Sequence, residues 1–174
     1  MQQIRFTTLT MALLFGLQGG AQETTDFSGV WKMDPSRSAS AAQAVPIGPV
    51  TLIIKQNAAE LSIETRRAQK HKPAISSETL TFKLDGSENS IVGAYGTQIQ
   101  AKAHWDGTKL TTETSRNING STVTTMHVFS LDASGKELTI DKTLTVQHGY
   151  QFAGANNTGT GKDVFIKSRA SLKK

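Results

Sequence analysis

Apolar and polar residues alternate along short stretches of this chain, and residues typical of tight turns separate the stretches. LTFKL places Leu80, Phe82 and Leu84 on one face, and IQAKAHW places Ile99 and Trp105 on one face. A period of two is typical of a strand that buries one of its faces. Ten strands are predicted, over residues 28–33, 50–56, 61–66, 78–84, 90–93, 97–105, 109–116, 122–131, 136–146 and 163–169.

Tight turns join neighbouring strands directly. Asp106-Gly107 and Asn119-Gly120 both favour the two-residue type I′ turn, whose central residues need positive φ. At most one short helix is predicted, near residues 36–44, because that stretch has no apolar stripe. Many strands without alternating helices predict an all-β fold. We expect an antiparallel up-and-down barrel of about 8–10 strands with no unpaired edge, and a two-sheet sandwich is the alternative.

The turns also predict which residues face inward, because a two-residue turn fixes the register of its strands. The turn at 106–107 pairs Ala101 with Thr112, and the turn at 119–120 pairs Thr112 with His127. The loop 133–136 then pairs His127 with Lys142, so these four residues form one inward row. The candidate ligand-binding residues on this face are Thr112, Thr114, Arg116, Thr125, His127 and Lys142.

This inward row predicts a pocket. An unpaired buried charge is costly, so Lys142 and His127 need a partner, a water molecule or a ligand. A barrel of this size, lined here by small side chains, holds one small ligand when side chains do not fill it. We expect a partly apolar ligand with an anionic or carbonyl group. In the alternative, a bulge or snorkelling turns Lys142 outward, and His127 is an ordinary histidine beside a threonine.

Motifs for catalysis, metal binding and nucleic-acid binding are not found in the sequence. The four histidines lack metal-ligand spacing and the chain has no cysteine, so no metal site or cofactor is predicted. No Gly-x-Ser-x-Gly or Walker motif occurs, and the Gly-rich stretch 154–161 is interpreted as a flexible loop. The net charge is +5, but the basic stretch 65–72 contains no aromatic residues. It is interpreted as a solvated face, and no nucleic-acid partner is predicted.

Residues 1–21 have the features of a secretory signal peptide. Arg5 precedes a short apolar run, and Gly19 and Ala21 occupy the −3 and −1 positions of a cleavage site before Gln22. The run is too short to span a bilayer, so no membrane anchor is expected. The predicted protein is therefore secreted or periplasmic, and residues 22–174 form a single domain without disulfides.

The segment DFSGVWKMDPSRS and a late basic residue carry a family resemblance. Gly29-Val30-Trp31 on the first strand, together with Arg169 near the end of the last, resembles the structural signature of lipocalins and the wider calycin group. The chain is also similar to small secreted bacterial lipocalin-like proteins. The resemblance implies that Trp31 closes one end of the barrel and that Arg169 packs across its indole. The Thr-Asp-Tyr motif of lipocalins is absent.

Three functions are compatible with these features. The first is a lipocalin-like binder of a small molecule inside the barrel. The second is an interaction module with a filled barrel that binds a protein or a glycan through its loops. The third is a barrel enzyme, an isomerase or hydrolase, that uses His127 and Lys142. The sequence names no protein partner and identifies no catalytic residue.

Overall fold

The computed structural model describes residues 24–42, 48–68, 75–93, 96–148 and 157–169, and the predicted signal peptide lies outside these residues. The strands are β1 Gly29–Met33, β2 Val50–Gln56, β3 Glu60–Ala68, β4 Ile75–Lys83, β5 Asn89–Val92, β6 Gln98–Asp106, β7 Lys109–Ile118, β8 Ser121–Leu131, β9 Glu137–Gln147 and β10 Asn157–Lys167. Among the described residues, no helix is long and apolar enough to cross a lipid bilayer.

The strands form one antiparallel sheet that curls into a nearly closed barrel. Their order is β4-β3-β2-β1-β10-β9-β8-β7-β6-β5, so every neighbouring pair is consecutive in the chain except β1 and β10. The predicted all-β up-and-down barrel is therefore confirmed. The prediction that no edge is left unpaired is wrong, because the hydrogen-bonded ladder is interrupted between β4 and β5. Side chains bridge this seam, where Asn89 Nδ2 donates to the carbonyl oxygen of Thr81 at 3.0 Å.

Two of the three predicted turn registers are confirmed. Asn119 and Gly120 have φ values of 50° and 81°, as a type I′ turn requires, and Thr112 pairs with His127. The loop 133–136 pairs His127 with Lys142 as predicted. The register at the first turn is wrong by two residues, because Asp106 pairs with Lys109 and the turn is centred on Gly107 and residue 108. Only Gly107 has positive φ there, which fits a type II′ turn.

This register error has a limited consequence. A shift of two residues keeps every side chain on its predicted face, whereas a shift of one would reverse the faces. Thr112 therefore stays inward, but its neighbour on β6 is Ala103, and Ala101 pairs with Thr114 instead. The inward row is corrected to Ala103, Thr112, His127 and Lys142.

Aromatic side chains close the end of the barrel where β1 begins. Trp31 and Phe27 are fully buried, and Trp31 Nε1 donates to the Phe27 carbonyl oxygen at 2.9 Å. The Phe27 ring stacks on Trp105 and meets Phe129 edge-on, with centroids 6.0 and 5.9 Å apart. The closed end implied by the Gly-x-Trp resemblance is therefore present.

The cation over the indole is Lys167, and the implied role of Arg169 is corrected. Lys167 pairs with Trp31 across β1 and β10, and its Nζ lies 5.0 Å from the centre of the Trp31 ring. Arg169 lies beyond β10 and is exposed. This arrangement requires a glycine at position 29. Its φ is 150°, and a Cβ there would lie 2.9 Å from Lys167 Cε, so a side chain at position 29 would obstruct the lysine.

Two short 3-10 helical turns, Pro35–Arg37 and Ala39–Ala42, follow β1 and lie against β10. They correspond to the helix predicted near residues 36–44. Arg37 anchors the first turn through ion pairs of 2.8 Å with Asp34 and Glu137. The second turn places Ser40 at the barrel interior, where its side chain is buried. These turns therefore form part of the wall at the end opposite Trp31.

Candidate ligand-binding site

The barrel is partly hollow. A deep cavity of about 170 Å³ adjoins an upper cavity of about 450 Å³, and the two share several lining residues. The deep cavity is lined largely by apolar side chains: Met33, Val50, Leu52, Ile63, Leu80, Phe82, Phe129, Ile140 and Phe165. The upper cavity is more polar and reaches the end of the barrel where Leu144 and Gly159 are exposed. We call that end the mouth.

All six predicted ligand-binding residues line the upper cavity: Thr112, Thr114, Arg116, Thr125, His127 and Lys142. They lie on the face of each strand that the turns predicted to point inward. Thr112 and Thr114 are buried, and the others are partly buried. Thr112, His127 and Lys142 also line the deep cavity, so they mark the junction between the two cavities.

Lys142 has protein partners inside the barrel. Its Nζ lies 2.5 Å from Asp163 Oδ2 and also donates to Ser40 Oγ. Asp163 in turn accepts from the Ser40 amide at 2.9 Å and from the Ser40 hydroxyl at 2.7 Å. Neither the bulge nor the snorkelling alternative applies, because Lys142 keeps its register opposite His127 and its ammonium pairs with the buried Asp163. We call Ser40, Lys142 and Asp163 the polar clamp, since they join the second 3-10 turn to β9 and β10.

The carboxylate of Asp163 is the most buried charge of the polar clamp, with 5% of its side chain exposed. Burial by itself would raise its pKa. Hydrogen bonds from Lys142 and Ser40 outweigh that cost and hold the pKa of Asp163 below its ordinary value of 3.8. Asp163 is therefore ionised at neutral pH and neutralises the charge of Lys142.

The sequence alone did not identify Ser40 and Asp163 as partners. They are 123 positions apart in the chain, and the segment between β9 and β10 is too long to fix a register. The Gly-rich stretch was predicted to be a flexible loop, and that is wrong for residues 157–161, which belong to β10. The antiparallel pairing with the long strand β9 gives their backbone groups hydrogen-bonding partners.

His127 is held in its neutral form. Burial lowers the pKa of its imidazole from the ordinary 6.5 to about 4, and the positive charges of Lys142 and Arg67 add to this effect. Its ring meets Phe129 edge-on at 6.1 Å. Within the described part of the chain, no side chain hydrogen-bonds the imidazole, so a ligand that reaches the junction meets a neutral donor and acceptor.

Acidification should therefore destabilise the protein through His127. The folded imidazole binds its proton near pH 4 and the unfolded one near pH 6.5, so stability falls as pH drops from 6.5 towards 4. We expect the free energy of unfolding, measured in urea, to lose on the order of 2 kcal/mol from this residue between pH 7 and pH 4.5. The His127→Gln variant should not show this pH-dependent loss of unfolding free energy. Parallel pH profiles for the two proteins would contradict the prediction.

A second ion pair spans the seam near the mouth. Arg116 Nη1 on β7 lies 3.2 Å from Glu78 Oε1 on β4, and both side chains are about three-quarters buried. Glu78 pairs with Thr65 on β3, which places its carboxylate on the inward face. Arg116, one of the predicted ligand-binding residues, is thus already paired across the interrupted ladder.

Arg67 is exposed to solvent, as the sequence interpretation expected, but its side chain also faces the barrel interior. It lines both cavities, and its neighbour Arg66 points outward and pairs with Glu64 at 2.6 Å. The alternation of β3 could have predicted this inward position. Leu61 and Ile63 are buried, and Arg67 follows them at an even spacing, on the same face of the strand. The local run of positive charges obscured that pattern.

The polar clamp does not have the arrangement of a nucleophile beside a base. Lys142 is an ammonium held by a carboxylate, and the Ser40 hydroxyl donates to Asp163. A nucleophilic serine needs an adjacent base strong enough to take its proton, and the carboxylate of Asp163 is a weak base because its pKa is held below the ordinary value. Among the described residues, no three side chains of histidine, cysteine, aspartate or glutamate come together to hold a metal ion. The contacts of Ser40, Lys142 and Asp163 are those of a structural clamp beside the cavities.

Comparison with known proteins finds similarity in structure only. A scan against protein-family models gives no match, and a search of curated proteins gives no similar sequence. The solved structure of the REP1-NXSQ fatty acid transporter aligns with 83% of this chain and 97% of its own, with a TM-score of 0.50 and 14% identity. Caenorhabditis elegans lipid binding protein 8 covers 82% of this chain and 95% of its own, with a TM-score of 0.49 and 13% identity. At such identity the first likeness shows a shared barrel fold.

Proposed function

We propose that this protein, exported after cleavage near Ala21, binds one partly apolar small molecule inside its barrel. The observation that carries the proposal is the pair of adjoining cavities, apolar in depth and polar towards the mouth. Ligand sites are mostly apolar clefts with a few convergent polar groups, and their volumes are about 300–1,000 Å³. The fold similarity to a fatty acid transporter supports the same class of function.

The hollow interior favours a binder over the interaction module with a filled barrel. Small residues keep the mouth open, since a Cβ added to Gly159 meets no atom of the described residues within 4 Å. A filled barrel would place larger side chains at such positions. The export step stays a prediction from residues 1–21. The intact mass of protein purified from its own host under native conditions would report both the cleavage and any co-purified ligand.

Gly159→Leu should block the site without unfolding the protein. The new side chain would project into the upper cavity, and leucine is a better strand residue than glycine. We expect the affinity for Nile red, a neutral apolar fluorophore, to fall about tenfold or more, as the loss of one well-packed contact implies. Fluorescence titration measures the affinity, and thermal melting checks that stability is unchanged or raised.

The matched control is Thr158→Leu, which adds a similar side chain at the preceding residue of β10. Thr158 is exposed and has the outward parity, so this variant should bind Nile red as the wild type does. Equal binding by all three proteins would show that Nile red does not enter the barrel. Absence of binding to the wild type, for Nile red, for long-chain alcohols and for long-chain carboxylates, would overturn the proposed function.

A further inference from the structure

The charges that face the two cavities do not balance. Among the residues that the structure describes, three cations line them, and two of these have carboxylate partners: Lys142 pairs with Asp163, and Arg116 pairs with Glu78. His127 is neutral at pH 7. Arg67 is the remaining cation among the described lining residues, and within the described part of the chain it makes no ion pair. Among the described lining residues one positive charge is therefore uncompensated, and it belongs to Arg67, whose side chain is exposed to solvent as well as to the cavities.

Arg67 stands at the junction of the two cavities on the mouth side. It lies near the end of β3, pairs with Val50 on β2, and follows Ile63 and Thr65 on the inward face. Its charge acts on the interior, because it is one of the causes, after burial and Lys142, that lower the pKa of His127. A guanidinium with free donors matches a carboxylate, a phosphate or a sulfate in charge and in geometry.

The apolar volume lies on the other side of this charge. Phe82, Phe129 and Ile140 line the deep cavity below the junction, and the closed end with Trp31 lies beyond them. An apolar chain gains by burial there, while a charged group placed there would lose its hydration. An anionic ligand group placed deep in the barrel would find no free cation at the polar clamp, because Asp163 already neutralises Lys142.

We infer that the cavity takes a single-headed anionic amphiphile in one orientation, with its anionic group on Arg67 near the mouth and its apolar chain in the deep cavity. This inference rests on the proposed function and adds to it the charge of the ligand, its orientation and the residue that selects it. It also moves the anion site away from Lys142, where the sequence placed it.

Matched probes test the selection. Dodecanoate and dodecan-1-ol share a chain and differ in charge, and both can be titrated at pH 7 by displacement of Nile red. The wild type should prefer dodecanoate about tenfold, as one hydrogen-bonded charge contact implies. Arg67→Gln should remove that preference by weakening dodecanoate binding. Arg66→Gln is the control, because Arg66 points outward and pairs with Glu64, and it should keep the preference.

Tryptophan quenching tests the orientation. The chain has two tryptophans, and both lie at the closed end. Dodecanoate brominated at its terminal carbon should therefore quench their fluorescence more strongly than dodecanoate brominated beside the carboxylate. Equal quenching, or the reverse order, would overturn the orientation.

The outcomes separate the two proposals. Binding of both probes without a preference, or a preference that survives Arg67→Gln, overturns the role of Arg67 and leaves the proposed function in place. A preference lost in Lys142→Met but kept in Arg67→Gln also overturns it, because the anion would then lie at the polar clamp. Binding of neither probe overturns both proposals.

Discussion

Trp31→Ala is expected to lower the free energy of unfolding by about 3–5 kcal/mol, the largest loss from any single core truncation in this protein. The indole is fully buried at the closed end of the barrel. Its removal leaves a cavity among the aromatic residues and also leaves the Phe27 carbonyl without the donor at 2.9 Å. An unpaired buried acceptor adds to the cost of the lost packing.

Two further variants separate these contributions. Trp31→Phe keeps a large ring but lacks the N–H group, so it should cost clearly less than Trp31→Ala while still leaving the Phe27 carbonyl unpaired. Lys167→Ala removes the cation over the indole and should cost less than about 1 kcal/mol, because that side chain is exposed. Urea unfolding followed by circular dichroism measures all three. A loss under about 1 kcal/mol for Trp31→Ala would contradict the assignment of Trp31 to the core.

The strands could be predicted because each one carries its own pattern. Alternation in β4 and β6 identifies their buried faces without reference to the rest of the chain. A register can be predicted only where a short turn joins two strands, as at Asn119-Gly120. The register prediction at Asp106-Gly107 failed because a single glycine fits two turns. Gly107 can be the second central residue of a type I′ turn or the first central residue of a type II′ turn, and the sequence does not distinguish them.

The parts of the site that could not be predicted involve residues far apart in the chain. Arg116 meets Glu78 across the seam, where no backbone ladder exists to give a register. Ser40 reaches Asp163 from an irregular segment whose path follows no repeating pattern. The choice of Lys167 over Arg169 depends on where β10 ends, and strand ends are poorly marked in sequence.

The second large effect is expected at the polar clamp. Asp163→Leu should lower the free energy of unfolding by about 3–5 kcal/mol, because it leaves the Lys142 ammonium largely buried without its counter-charge. The Ser40 amide and hydroxyl lose their acceptor in the same step. An exposed ion pair provides the comparison. Glu113→Ala breaks the contact of 3.1 Å with Lys102 on the outer face and should cost less than about 1 kcal/mol.

The double variant Lys142→Met with Asp163→Leu should recover most of that loss. Replacing both members of a buried pair by apolar residues removes the desolvation cost as well as the attraction, so the result is often close to the wild type. We expect the double variant to be at least about 2 kcal/mol more stable than Asp163→Leu alone. Equal stability of the two variants would show that the loss comes from packing or from Ser40, and that the charge of Lys142 is already hydrated.

The same double variant also separates the structural role of the polar clamp from ligand selection. With both clamp charges removed, the cavity keeps Arg67 as an uncompensated cation, and the wall near the junction becomes more apolar. If the anionic group of the ligand binds Arg67, the double variant should retain the preference for dodecanoate over dodecan-1-ol and should bind both at least as tightly. A lost preference in a protein whose unfolding is unchanged would place the anion on Lys142, and Asp163 would then be a counter-ion that the ligand displaces.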